Sequence, residues 1–294
     1  MSRAVPPRHP AAGSVPSPRR GPLASALRAA DIRQAVDRGE LELHYQPQVA
    51  EDGRTAAMEA LLRWHRPDGS RPAPDSFLPL AQHSGLMPRV TAYVLDRAVA
   101  QAARWRSRGI RVPVAVNVSP TDVLQFGFAE AVGECLSRQG LPGSALKLEI
   151  TETIETPHVT EIAAVLDRLT PRGITISLDD FGTGHASLSR LRALPVGELK
   201  IDRTFVAGLA DDPRDAAVVR YSIGLARELR LTVVAEGVET PPIRDLLFAM
   251  GVDLIQGWLV SPALPPEAAT SWLIDPAASR SSPVRCDPPS ADTR

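Results

Sequence analysis

Acidic and amide side chains recur in this chain directly after short apolar runs. Glu59 lies in Met58-Glu59-Ala60-Leu61, Asn117 follows Val114-Ala115-Val116, and Glu149 follows Leu146-Lys147-Leu148. Asp179 and Asp180 follow Ile176-Ser177-Leu178, Lys200 follows Glu198-Leu199, Glu236 follows Val233-Val234-Ala235, and Gln256 follows Leu254-Ile255. Carboxylates brought within a few ångströms cannot all ionise unless positive charge compensates them. Hard divalent cations with oxygen ligands supply that charge. Carboxylates plus Asn117, with no His or Cys among them, favour Mg2+ or Mn2+ over Zn2+.

Taken singly, each position has an ordinary explanation. A strand-end Asp or Glu is commonly a helix cap or a surface charge, and Asn117 before Val118-Ser119-Pro120 could start a turn. Independent capping does not explain the same placement at strand after strand. The adjacent acids Asp179 and Asp180 point to opposite faces unless the strand has ended, so one is expected to ligate directly and the other from the loop. Lys200 stands out because Arg fills every other basic position except Lys147. A lysine at a strand end reads as a compact charge or a group able to lose its proton, against the alternative of a surface lysine paired with Glu198 or Asp202. Lys147 shares a strand face with Glu149 and reads as structural or exposed.

Other residues are less specific. Phe181-Gly182-Thr183-Gly184 lacks the Lys-Ser or Lys-Thr ending of a phosphate-binding P-loop and reads as a mobile loop over the acids. His185 reads as a loop histidine. Trp64 and Trp258 stand at strand ends, where each could stack on a base or pack under a loop.

The elements that must position these residues follow from periodicity. Strands are expected at 41–49, 58–64, 112–119, 146–151, 174–180, 198–202, 231–237 and 254–258. Helical spacing of apolar residues runs over 90–108, 128–138, 161–169, 215–229 and 242–250. Only a short segment with Asp52-Gly53 separates the first two strands, which predicts a hairpin and one antiparallel strand. The expected fold is α/β, a (β/α)8 TIM-type barrel whose strand ends converge on one mouth. An open doubly wound sheet is the alternative, but no Gly-x-Gly-x-x-Gly opens a helix after a strand.

Residues 1–23 and 275–294 are rich in Pro, Ser, Ala and Arg, offer nothing to bury, and are expected to be disordered around a barrel at 24–274. The formal net charge of −1 gives no reason to expect a nucleic-acid polymer as partner. Cys135 and Cys286 form neither a disulfide framework nor a zinc motif, so a cytoplasmic setting is expected. No apolar run is long enough to span a bilayer, and the first residues lack the apolar stretch of a secretion signal.

From about Ala24 to Pro265 the chain resembles the EAL domain of cyclic di-GMP phosphodiesterases. The matching blocks are Tyr45-Gln46-Pro47, Glu59-Ala60-Leu61-Leu62-Arg63-Trp64, Asn117-Val118-Ser119, Glu149-Ile150-Thr151-Glu152, Asp179-Asp180-Phe181-Gly182-Thr183-Gly184, Lys200-Ile201-Asp202, Ala235-Glu236-Gly237-Val238-Glu239 and Gln256-Gly257. The resemblance implies two Mg2+ or Mn2+ ions, one on Glu59, Asn117, Glu149 and Asp179, the other on Asp179, Asp180 and Glu236. It implies that Lys200 contacts the attacking water, acting with Glu59, Asp179 and Asp180. Gln46, Leu61 and Arg63 match substrate contacts, and Gln256 a glutamine that reaches the substrate or the metal and its water. Glu152 matches a residue that steadies the Asp179–Gly184 loop, which the family couples to homodimer formation, and Glu239 is placed to support the site. Two departures show: Gln82 stands where the family has Glu, and His185-Ala186 replaces Tyr-Ser.

The activity so implied is hydrolysis of one phosphodiester of cyclic di-GMP, giving linear pGpG. The alternatives are a module that binds cyclic di-GMP without cutting it, and a metal-dependent barrel hydrolase for another phosphorylated substrate.

Overall fold

The computed structural model describes residues 27–151, 158–183 and 188–275. Eight strands close a barrel in chain order: β1 (Leu41–Val49), β2 (Thr55–Trp64), β3 (Val114–Val118), β4 (Leu146–Thr151), β5 (Thr175–Phe181), β6 (Glu198–Ile201), β7 (Thr232–Ala235) and β8 (Leu254–Ile255). β1 is antiparallel to both of its neighbours, pairing Gln46 with Glu59 on one side and Val49 with Ile255 on the other. The pairs from β2 through β8 are parallel. The expected barrel with one reversed strand is the observed fold.

Helices surround it: α1 (Ala29–Arg38), α2 (Pro74–His83), α3 (Met87–Ser107), α4 (Pro120–Val123), α5 (Phe128–Arg138), α6 (Val159–Leu166), α7 (Leu188–Ala193), α8 (Arg203–Ala207), α9 (Pro213–Glu228), α10 (Pro241–Met250) and α11 (Pro266–Ile274). Their inner faces are apolar at helical spacing; α3 buries Val90, Val94, Leu95, Ala98, Ala102 and Trp105. The Trp105 indole donates to Thr270 Oγ1 at 2.9 Å, fastening α11 against α3. α1, α2, α4, α7, α8 and α11 lie outside the five helices expected from periodicity. α4, α7 and α8 are short, and α2 opens on Pro74 and carries Pro79 inside it, which breaks the pattern.

The strands are apolar toward the helices and polar toward the barrel axis. In β4, Leu146, Leu148 and Ile150 are buried on the helix side, while Lys147 and Glu149 occupy the other parity and face inward. Two polar layers therefore fill the interior. In the lower one Lys147 pairs with Glu198, with the Ser177 hydroxyl buried at the register position beside it. The upper layer opens at the mouth. Lys147 is thus structural and buried, and Glu198 is its partner rather than that of Lys200. Asp202 instead caps α8, accepting from the Thr204 N–H at 2.9 Å.

Trp64 does not stack in the mouth. It is buried edge-on against Phe77, with ring centroids 5.1 Å apart, and its indole donates to Glu40 Oε2 at 3.1 Å. Trp258 is exposed. No helix among the described residues is long and apolar enough to cross a membrane.

Candidate active site

Strand pairing aligns the polar positions at the mouth. Gln46 faces Glu59, Asn117 faces Glu149, and Thr151 faces Asp179 across successive ladders. Glu59 is held from two sides, by the Asn117 amide at 2.7 Å and the Gln256 amide at 2.5 Å. Gln256 also donates to Gln46 Oε1 at 3.0 Å. Gln48, deeper in β1, donates to Glu149 Oε1 at 3.2 Å and to Gln256 Oε1 at 3.1 Å. An amide belt thus fixes the carboxylates before any ligand arrives.

Lys200 stands at the centre with no exposed side-chain surface. Its Nζ lies 2.5 Å from Glu236, 2.9 Å from Glu149, 3.2 Å from Asp179 and 3.7 Å from Glu59. Burial alone would lower its pKa, but Asp179, Glu149, Glu236 and Glu59 together hold it well above the usual lysine value. Four surrounding carboxylates favour the compact-charge role over that of a group that loses its proton.

β5 solves the problem of two adjacent acids with a bulge. Its register with β6 shifts between Leu178 and Phe181, and Asp180 takes a left-handed backbone at φ 56°. This conformation is rare for a residue with a Cβ, though Asp tolerates it better than most. The bulge re-aims a side chain that strict alternation would send outward. As a result Asp179, Asp180 and Glu236 each offer an oxygen, all within 4.8 Å of one another. Gly182 follows at φ 101°, where a Cβ would meet the Phe205 ring at 2.8 Å. The turn out of β5 requires glycine on both counts.

Negative charge is in excess. Burial, reinforced by Glu59, pushes the Glu149 carboxyl well above the usual carboxylate range despite Lys200. Burial likewise raises Glu236 to about 8, with Lys200 only partly offsetting it. Glu59 goes the other way. Burial pushes it up, but Lys200 and the amides of Gln256 and Asn117 outweigh that and hold it below its usual value. One lysine cannot neutralise these acids, and the donors are all oxygen. Such a set fits hard divalent cations.

The cluster brings together Glu59, Asn117, Glu149, Asp179, Asp180, Lys200, Glu236, Gln256 and Gln46 from the sequence-derived set. Leu61 and Arg63 follow Glu59 on the same face of β2 at the lip, where the Arg63 guanidinium donates to the Leu62 carbonyl at 2.8 Å. Gln82 lines a groove of about 510 Å3 beside the mouth, together with Leu61 and Asn117. Glu239 is exposed after β7, and no hydrogen bond ties it to the cluster among the described residues. Glu152, His185 and Ala186 lie outside the described residues. Gln48 was not anticipated, although its spacing of two from Gln46 puts it on the same strand face.

Known proteins bear on the identity of this cluster. MucR of Pseudomonas aeruginosa, named a bifunctional diguanylate cyclase/cyclic di-GMP phosphodiesterase, is 41% identical over 239 residues, which span 81% of this chain and 35% of that protein. The P. aeruginosa cyclic di-GMP phosphodiesterase NbdA is 37% identical over 245 residues, 83% of this chain and 31% of its own length. The chain therefore spans about a third of these relatives. A solved structure of the MucR phosphodiesterase in complex with c-di-GMP superposes with a TM-score of 0.78 at 40% identity, covering 82% of this chain and 98% of that one. The EAL enzyme Bd1971 in its cAMP- and cyclic-di-GMP-bound form gives a TM-score of 0.79 at 28% identity, over 83% of this chain and 68% of that one. The EAL domain family itself matches residues 29–263, a stretch that opens with α1 and takes in every member of the cluster from Gln46 to Gln256, so this chain belongs to the EAL domain family.

Proposed function

We propose that the chain hydrolyses one phosphodiester of cyclic di-GMP to linear pGpG, using two divalent cations, Mg2+ or Mn2+. The observation that carries this reading is the excess of carboxylates around Lys200 at the barrel mouth, in a family whose members include the cyclic di-GMP phosphodiesterases MucR and NbdA. Glu59, Asn117, Glu149 and Asp179 would hold one cation, and Asp179, Asp180 and Glu236 the other. Such a pair, when bound, supplies Lewis acidity toward a water and a phosphoryl oxygen.

The chain's own groups do the positioning. Lys200, charged and fixed by four carboxylates, donates a hydrogen bond that orients the attacking water. Asp179 and Asp180 accept from that water along the line of attack. Arg63 at the lip pairs with a non-bridging phosphate oxygen. Gln46 and Gln256, already bonded to each other, present amide groups to the ligand. Leu61 supplies apolar contact. The family resemblance also carries a homodimer, and the cysteine usage a cytoplasmic setting, as parts of this reading.

Incubation of the protein with cyclic di-GMP and Mg2+ or Mn2+ should yield pGpG, and Glu59→Ala should yield none while remaining folded. Tight binding of cyclic di-GMP by the wild-type protein without pGpG would replace this reading with a sensor. Turnover of a different phosphodiester alone would replace the substrate.

A further inference from the structure

β1 and β2 run on past the barrel as a two-stranded lip, with Glu42 paired to Arg63 and His44 to Leu61. Strand alternation puts Glu42 and His44 on the same face as Gln46, and His65 follows β2 on that face. Glu42 Oε2 lies 3.6 Å from His44 Nε2 and 3.5 Å from His65 Nδ1. All three ligand atoms fall within 4.8 Å of one another. None of the three belongs to the acidic cluster below.

We propose that Glu42, His44 and His65 form a second cation site, for a borderline divalent transition ion of the Zn2+ class. Bonds of about 2.0–2.1 Å in a tetrahedral site put neighbouring ligand atoms about 3.3–3.4 Å apart. Both measured separations from Glu42 are within a few tenths of an ångström of that spacing, so the carboxylate and either imidazole can share an ion with little movement. The two rings meet edge to face with centroids 6.1 Å apart, and each brings one nitrogen to Glu42 Oε2.

The ligand chemistry separates this site from the centre in the barrel. Two imidazoles and one carboxylate select Zn2+, Co2+ or Ni2+, whereas the all-oxygen cluster suits Mg2+ or Mn2+. The site is reachable from solvent, since the Glu42, His44 and His65 side chains are 40%, 20% and 42% exposed. Three protein ligands leave one position for water or for an anionic group. An ion held there adds positive charge to the lip that carries Arg63.

The test first disables the cation position at Asp179, Asp180 and Glu236, and excess Mg2+ competes for the one at Glu59, Asn117, Glu149 and Asp179. The Asp180→Asn/Glu236→Gln chain is titrated with Zn2+ calorimetrically and with Co2+ by visible absorption, both in excess Mg2+. One equivalent should bind, and Co2+ should show the intense absorption of a low-coordinate site with nitrogen ligands. Adding His65→Gln to that background should weaken Zn2+ binding at least tenfold and bleach the Co2+ band. His65→Cys, which restores a ligand atom at the exposed position, should recover binding and shift the band. Absence of Zn2+ binding in the starting protein, or binding unchanged by His65→Gln, overturns the proposal. Neither readout depends on turnover or on cyclic di-GMP.

Discussion

Lys200 Nζ meets Glu149 Oε2 at 2.9 Å, and neither side chain has any surface open to solvent. Breaking a buried ion pair from one side leaves the other charge uncompensated, at a cost of about 3–5 kcal/mol. Lys200→Met should therefore melt well below wild type in chelator. Added Mg2+ should recover more stability in the variant than in wild type, because the acids have lost their internal cation. Turnover should not return. Equal melting of the two proteins in chelator would remove Lys200 from its role as the cluster's counter-charge.

Glu236 gives the metal-free protein a pH dependence of definite sign. Its folded pKa of about 8 exceeds the usual carboxylate value of 4.5, so the folded state binds the proton more tightly than the unfolded chain. The associated stability is complete below about 4.5 and is lost as the pH rises toward 8, an effect on the order of a few kcal/mol. Melting in chelator should fall across that window, Glu236→Gln should flatten the fall, and saturating Mg2+ should do the same in wild type. A melting temperature that rises from pH 5 to 8 in chelator would contradict this.

Asp180 separates backbone from side chain. Asp180→Asn and Asp180→Ala both remove the carboxylate, but only Asn tolerates φ 56° well. The Ala variant should be less stable than the Asn variant by about 1 kcal/mol, read from chemical denaturation, while both lose turnover. Equal stability would show that the bulge relaxes without Asp180.

Gln48 touches two members of the cluster without being one of its acids. Gln48→Leu should keep the fold and weaken Mn2+ binding by about 10- to 100-fold, as loss of an outer hydrogen bond to a ligand does. Titration calorimetry reads this directly.

In the lower layer, Lys147→Met or Glu198→Leu alone should cost about 3–5 kcal/mol, and the two together far less than the sum. The double variant should retain turnover, since neither group reaches the mouth. Additive losses in denaturation would mean that the pair is not the unit of stability.

Much of this architecture could be read from the chain before any coordinates. β1, β4 and α5 have the expected bounds because alternation or helical spacing there is clean. Recurrence of strand-end acids located the cluster, because a barrel sends those ends to one place. The bulge at Asp180 was not legible, since it depends on how β6 meets β5 and not on any local pattern. Gln48 escaped notice because a buried glutamine beside Pro47 resembles strand filler until its partners are known. Glu42, His44 and His65 alternate like an ordinary solvent face, and only pairing across the hairpin draws them together. Arg63 and Leu61 owe their roles to family resemblance, as periodicity assigns them nothing.

Reversal of β1 sets where the polypeptide enters the barrel. In an all-parallel barrel the chain arrives at the floor, remote from the chemistry. Here Glu40, one residue before β1, sits with Trp64 and His65 at the open end, and α1 leads directly into it. Any module joined upstream of α1 would be tethered close in sequence to the open end of the barrel, four residues from Glu42 at the end of α1.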